Sequence, residues 1–203
     1  MMLAITRTGS KLFGPGMVMV IALVAAACSS PSPPVRYYTF SVLPYPAQAP
    51  PERGRPVAVA PAQVPAYLDR PHIVTREGLN TVVMAEYDRW ASPLQEGLAW
   101  AVAQNLSALL KSDQVTAGIE GAGLGSVYHV TISVHRFEGW PRERFNLVAT
   151  WSIEAPEGER QPSKGRTVIE EPISEAGVEG LVAAASRAVI TLSRDIAAAI
   201  EQP

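Results

Sequence analysis

Several kinds of residue and segment are scarce in this chain, and each scarcity excludes a class of protein. The 203 residues include one cysteine, Cys28, so no intramolecular disulfide can form. The 17 lysine and arginine residues form no block and are offset by 19 aspartate and glutamate residues, which leaves a net charge of −2. Because nucleic-acid-binding surfaces are usually basic stripes, this balance argues against a DNA or RNA partner. The length suits one domain, or one domain with a tail.

Residue patterns that support catalysis are also missing. The three histidines, His72, His129 and His135, are scattered, and the last two lie on one strand face about 20 Å apart, too far for one metal ion. No G-x-S-x-G elbow is present. The glycine-rich stretch 121–126 leads into a strand and not into a helix, which argues against a nucleotide loop. We therefore expect no enzymatic activity, no cofactor and no metal site.

The amino-terminal segment contains the cysteine and explains its position. Arg7 and Lys11 precede an apolar run, Met17–Ala27, which is shorter than the roughly 20 residues that cross a bilayer and suits the core of a signal peptide. Three alanines then precede Cys28, an arrangement that resembles the lipobox of bacterial lipoproteins, with Ala25 where leucine is usual. We predict a signal peptide over residues 1–27 and a diacylglycerol thioether on Cys28. The alternative is ordinary secretory cleavage that leaves a free thiol.

Residues 28–35 are predicted to be a lipidated tether. The sequence SSPSPP favours an extended path of roughly 20 Å. Each buried methylene contributes about 0.8 kcal/mol, so two or three acyl chains hold a protein firmly on a membrane. Ser29, which follows the cysteine, resembles the signal that sends lipoproteins to the outer membrane of Gram-negative bacteria.

Residues 36–203 are predicted to form one α/β domain, a mixed twisted sheet packed against two long amphipathic helices. The runs HIVTRE and TVVMAEY predict a hairpin, and VYHVTISVHRF and RFNLVATWSIE predict an antiparallel pair, followed by a strand near 164–171. Simple alternation places Tyr128, Val130, Ile132 and Val134 on one face and Phe137 on the other.

Two segments have the spacing of amphipathic helices. The first is predicted over 93–111, with Ser92 and Gln95 as a capping box and Pro93 as its first residue. The second is predicted over 177–200, and its apolar stripe is Leu181, Ala185, Ala188, Leu192, Ile196 and Ala199.

The middle of the chain resembles the ABC-transport auxiliary lipoproteins, which include MCE-associated lipoproteins of the paraquat-inducible protein C type. The resemblance rests on a V-P-x-Y-L-D-R-P segment, an I-V-x-R strand and a W-A-x-P-L helix start. In this chain these are Val64, Pro65, Tyr67, Leu68, Asp69, Arg70 and Pro71; Ile73, Val74 and Arg76; and Trp90, Ala91, Pro93 and Leu94.

The resemblance implies a non-enzymatic accessory of an ABC permease and ATPase system that moves lipids across the envelope. Such a lipoprotein would dock from the outer membrane, on its periplasmic side, onto an MCE-domain protein. Tyr67, Arg70 and Trp90 are the candidate docking residues, because tyrosine, arginine and tryptophan are favoured at interface hot spots. For Trp90, a position in the core is the stronger alternative.

The sequence leaves two questions open, lipid carriage and self-association. The chain could instead be a lipid carrier that shields a phospholipid acyl chain, which would require an apolar cavity between sheet and helices. A homo-oligomer is compatible with the sequence, since MCE partners form rings.

Overall fold

The structure is a computed structural model, and it describes residues 32–45, 54–118, 127–156 and 163–202. The predicted signal peptide, Cys28 and the glycine-rich loop 121–126 lie outside the described residues. So do residues 29–31 of the predicted tether, whereas its residues 32–35 are described. No helix within the described ranges is both long enough and apolar enough to cross a membrane.

The strands of the domain form one mixed sheet. They are β1 (Arg36–Tyr38), β2 (Val57–Val59), β3 (His72–Arg76), β4 (Val82–Trp90), β5 (Val115–Ala117), β6 (Tyr128–Trp140), β7 (Arg144–Glu154) and β8 (Ser163–Pro172). The long strand β6 is central. On one side it pairs antiparallel with β7, which pairs antiparallel with β8. On its other side β6 pairs with both β2 and β3. Strand β2 also pairs with β5, while β3 pairs with β4, which in turn pairs with β1. The predicted β3–β4 hairpin and β6–β7 pair are both confirmed.

Two helices pack against each other and against one face of the sheet. They are α1 (Leu94–Leu110) and α2 (Gly177–Glu201). Helix α1 lies against β2 and β5, and α2 lies against β7 and β8. All six residues of the predicted α2 stripe are buried. The predicted fold class, a single α/β domain with a mixed sheet and two long helices, is confirmed.

The start of α1 differs from its prediction. Pro93 is the N-cap, with ψ at 135°, and no side chain caps the helix. The carbonyl of Pro93 accepts the N–H groups of Glu96 and Gly97 at 3.1 and 2.9 Å. Gln95 Oε1 is buried without a hydrogen-bond partner. The predicted capping box is therefore wrong, because the extended backbone of Pro93 makes this residue the N-cap in place of Ser92, so the helix begins at Leu94.

The predicted face of Phe137 is also wrong, because β6 contains a β-bulge. Val134 pairs with Ala149, but Arg136 pairs with the next residue along β7, Val148, so His135 is an extra residue in β6. An extra residue exchanges the two faces of the strand beyond it. Phe137 is therefore only 3% exposed and lies in the core together with Val134.

The bulge generates a prediction about stability. Deleting His135 removes the extra residue and leaves Val134 opposite Ala149 and Arg136 opposite Val148, so Phe137 stays on the core face and the free energy of unfolding should change by less than about 1 kcal/mol. Deleting Thr131 is the matched comparison, because Thr131 is exposed and lies in the regular part of β6. Its loss turns Ile132 and Val134 away from the core, so the free energy of unfolding should fall by at least about 3 kcal/mol. Urea unfolding measures both. A large loss of stability on deleting His135 would contradict its role as the extra residue.

Candidate functional site

A cluster of aromatic side chains joins the sheet to the start of α1. The rings of Phe40 and Trp90 stack with their centroids 4.8 Å apart and their planes 25° from parallel. Phe137 contacts Phe40 edge-on at 5.9 Å and Phe145 edge-on at 4.8 Å. Such geometries stabilise aromatic pairs beyond the area they bury. Trp90 is 7% exposed, so its ring forms a rigid floor beneath the surface.

An apolar pocket of about 230 Å³ opens directly above this floor. Trp100, on α1, forms one wall and is 45% exposed. Gly97 leaves room at the back, where an added Cβ would lie 3.2 Å from Ser92 Oγ and 3.5 Å from Phe40 Cε2. The lining residues are Tyr38, Thr39, Phe40, Trp90, Ala91, Ser92, Leu94, Gly97 and Trp100.

Two shallower hollows adjoin the pocket, and all three share Ser92. One, of about 340 Å³, is bordered by Arg70 and the chain before α1: Asp69, Arg70, Pro71, Trp90, Ala91, Ser92 and Pro93. The other, of about 640 Å³, lies against Trp100 and includes Pro61, Glu96, Ala99, Ala117 and Gly118. We call the pocket and its two hollows the Trp90–Trp100 surface.

Strand β1 is held against β4 by a buried carboxylate. Asp88 Oδ1 accepts hydrogen bonds from Arg36 Nε and from the Tyr38 hydroxyl, both at 2.8 Å. Burial, followed by the hydrogen bond to Asp88, raises the pKa of Tyr38 to about 12. The phenol therefore stays protonated and able to donate at physiological pH. Arg36 also lies 3.4 Å from Glu179 at the start of α2.

The backbone at the end of β4 is held from both sides. The N–H of Trp90 donates to the Pro71 carbonyl at 2.8 Å, and the N–H of Ala91 donates to the Tyr38 carbonyl at 2.9 Å. The pairing of β3 with β4 is irregular here, because His72 faces Arg89 and Val74 faces Met84. One residue of β3, Ile73, therefore lies opposite four residues of β4, Ala85–Asp88. This irregular segment ends at Asp88, the carboxylate that fastens β1. The pocket is therefore preformed by main-chain and side-chain bonds.

Comparison with known families identifies the domain. Residues 38–197 match the family described as the ABC-type transport auxiliary lipoprotein component. The chain belongs to this family. It is a family of transport accessories and not a known enzyme family. The resemblance noted in the sequence is thus confirmed.

Solved structures share the fold of this auxiliary lipoprotein. One is an uncharacterized protein with a TM-score of 0.67 and 20% identity, covering 83% of this chain and 100% of its own. Another is a DUF330 protein from Xanthomonas campestris with a TM-score of 0.61 and 18% identity, covering 80% of this chain and 93% of its own. No curated protein matches the chain in sequence.

The structure brings together two of the three predicted docking residues of the auxiliary lipoprotein. Arg70 and Trp90 border the same hollow. Arg70 is half-buried, and its Nη1 donates to Met84 Sδ at 2.9 Å. Trp90 is a core residue with one edge at the hollow.

Tyr67 lies apart from that hollow and takes part in a separate polar cluster. Its hydroxyl donates to Glu138 Oε2 at 3.2 Å, and Arg76 Nε donates to Glu138 Oε1 at 2.5 Å. The Glu138 side chain is fully buried. Burial, and then the charge of Glu138, raise the pKa of Tyr67. Tyr67 therefore contributes to the pairing of a buried carboxylate.

Sequence reasoning missed Trp100, Tyr38 and Phe40 as parts of the site. Trp100 carried a usable signal, since it is a large aromatic residue that lies off the apolar stripe of its helix. Tyr38 and Phe40 carried no such signal. Their place in the site depends on the pairing of β1 with β4, and the hydrogen-bonded residues Tyr38 and Asp88 are 50 positions apart in the sequence.

The arrangement is suited to binding. Among the described residues there is no group of histidine, cysteine, aspartate and glutamate side chains that could hold a metal ion. His135 Nε2 lies 3.0 Å from Thr150 Oγ1 on the exposed sheet face. The Trp90–Trp100 surface offers an apolar pocket with the Arg70 guanidinium nearby, which are the features of a recognition site.

Proposed function

We propose that this auxiliary lipoprotein is anchored through Cys28 in the outer membrane, facing the periplasm. There it docks, without catalysing a reaction, onto the MCE-domain protein of an envelope lipid transport system that also contains an ABC permease and ATPase. Residues 1–27 are the signal peptide, 28–35 the lipidated tether and 36–203 the docking domain. Confinement at the membrane raises the effective concentration of the domain for a partner there.

The preformed pocket under Trp100 is the observation that carries the proposal. Ligand sites for small molecules usually enclose about 300–1,000 Å³, whereas a cavity of about 150 Å³ already accommodates a benzene ring. At about 230 Å³, the pocket is the right size for one large side chain of a partner protein. Interface hot spots are typically such anchors, inserted into pockets and surrounded by residues that exclude water.

Arg70 provides the polar component of this surface. Its Nη1 donates to Met84 Sδ at 2.9 Å, and a thioether sulfur is a weak acceptor. A carboxylate or carbonyl group of the docking partner is a stronger acceptor for a guanidinium, so we infer that Arg70 pairs with such a group beside the inserted side chain.

The interior of the domain favours docking over lipid carriage. A carrier would need an apolar cavity between the sheet and the helices. The void found there, lined by Leu68, Ile73, Phe137, Phe145 and Leu181 among others, measures about 10 Å³. That volume holds about one water molecule. The aromatic cluster and the small residues of α2 fill the layer where an acyl chain would have to lie.

The anchor is tested by replacing its sulfur. Cys28→Ser should abolish incorporation of radioactive palmitate, because no thiol remains to form the thioether. Ser29→Ala is the control and should keep the label, since the cysteine and the residues before it are unchanged. Labelling of whole cells followed by immunoprecipitation measures both. A Cys28→Ser protein that is still labelled would place the lipid elsewhere.

The docking surface is tested by Trp100→Ala and Arg70→Glu. Each should weaken binding to a co-expressed MCE-domain protein of the same bacterium by about tenfold or more, the range of hot-spot truncations. Arg194→Glu makes the same charge change at an exposed position of α2 and should bind as the parent chain does. Co-purification and biolayer interferometry provide the measurements, and circular dichroism verifies folding. Unchanged binding of both surface variants would remove this surface from the interface.

A further inference from the structure

Strand β8 forms a long edge of the sheet with one side unpaired. Its ten residues pair with β7 in an unbroken antiparallel register, and no other strand of the described residues pairs with it. Val168, at its middle, is 67% exposed. Such an edge is a template for a further strand.

The hydrogen bonds at the end of β8 show which residues direct their backbone groups away from β7. Ile173 N donates toward β7, to the Glu143 carbonyl at 3.1 Å. Backbone groups alternate in direction along a strand. Residues 164, 166, 168, 170 and 172 therefore direct their N–H and C=O groups outward. Two observations agree with this. Proline has no N–H group, so Pro172 is tolerated where the backbone nitrogen faces away from the neighbouring strand. The Pro172 carbonyl accepts a hydrogen bond at 2.6 Å from Nη2 of Arg187, a residue of α2 and not of β7.

The charges along this edge are arranged with opposite signs at the two ends. Lys164 and Arg166 lie before Val168 and Glu170 lies after it, and all four are exposed. Charged side chains usually protect an edge strand from pairing. An antiparallel second copy is the exception, because reversal of the chain brings the basic end of one strand against the acidic end of the other.

We propose that β8 pairs antiparallel with β8 of a second copy, with Val168 on the twofold axis. In this register the outward-facing residues of one copy meet the outward-facing residues of the other, so their free N–H and C=O groups bond each other. Arg166 lies opposite Glu170 of the second copy, twice by symmetry. Registers centred on Arg166 or on Glu170 place like charges together. The register centred on Thr167 pairs Lys164 with Glu170, but it places Arg166 opposite Val168 and so loses the contact between the two Val168 side chains.

A dimer formed by one pair of strands buries less surface than an obligate dimer, so the test is made where the protein is concentrated, in the bacterial envelope. Directly opposed residues of a hydrogen-bonded antiparallel pair have Cα atoms about 5.5 Å apart, which permits a disulfide. Val168→Cys in the full-length chain should therefore form a disulfide-linked dimer with itself when cells are treated with copper phenanthroline. Lys164→Cys, on the same face and edge, should not.

Charge variants made in the Val168→Cys chain test the register. Arg166→Glu should reduce the crosslinked fraction about tenfold, because two facing pairs change from opposite to like charge. Arg166→Glu combined with Glu170→Arg should restore it. The parent chain should not crosslink, and a dimer in it would reveal a free Cys28 thiol and count against the proposed anchor, not against this interface.

The remaining outcomes decide the proposal. No Val168→Cys dimer, equal crosslinking of Lys164→Cys, unchanged crosslinking after Arg166→Glu, or a crosslink only to a different protein would each overturn it.

Discussion

The stacked aromatic cluster beneath Trp100 is the interaction on which the rest of this structure depends. Phe40 follows β1, Trp90 ends β4, and Phe137 and Phe145 come from β6 and β7, so one cluster connects four separate parts of the chain. These rings pack in the layer between sheet and helices, where the void among the described residues measures about 10 Å³, too small for an acyl chain. The same rings form the floor of the exterior pocket. A rigid floor and a filled interior suit an accessory that binds other proteins and does not carry the lipid itself.

The proposed contacts involve distinct surfaces of the domain. The Trp90–Trp100 surface lies at the start of α1, whereas β8 is at a sheet edge that α2 lines. Strand β1 follows the predicted tether and is fastened by the bonds of Asp88 to Arg36 and Tyr38. Tension on an anchored chain would therefore act on a strand that is bonded to β4 and adjoins the pocket. The proposed docking, self-pairing and anchoring thus involve separate groups of residues.

Local sequence patterns predicted most of the fold, and long-range contacts account for what they missed. Alternation and helical spacing were sufficient for the β3–β4 hairpin, the β6–β7 pair and both helices, because each pattern is contained in one or two adjacent segments. The bulge at His135 could not be predicted, since an extra residue has no signature of its own and is seen only from its partner strand. Its effect is large, because it turns Phe137 into the core. Of the site, Arg70 and Trp90 were found through a family motif, while the pocket depends on the distant pairing of β1 with β4.

The central claim is that the preformed pocket between Trp90 and Trp100 receives a partner protein. Hydrogen–deuterium exchange of the lipoprotein, with and without a purified MCE-domain protein of the same bacterium, tests it most directly. We expect slower exchange on binding in peptides covering residues 36–40 and 90–100, and unchanged exchange in peptides from the middle of α2. Slower exchange confined to other regions, with unchanged exchange around the pocket, would contradict the account.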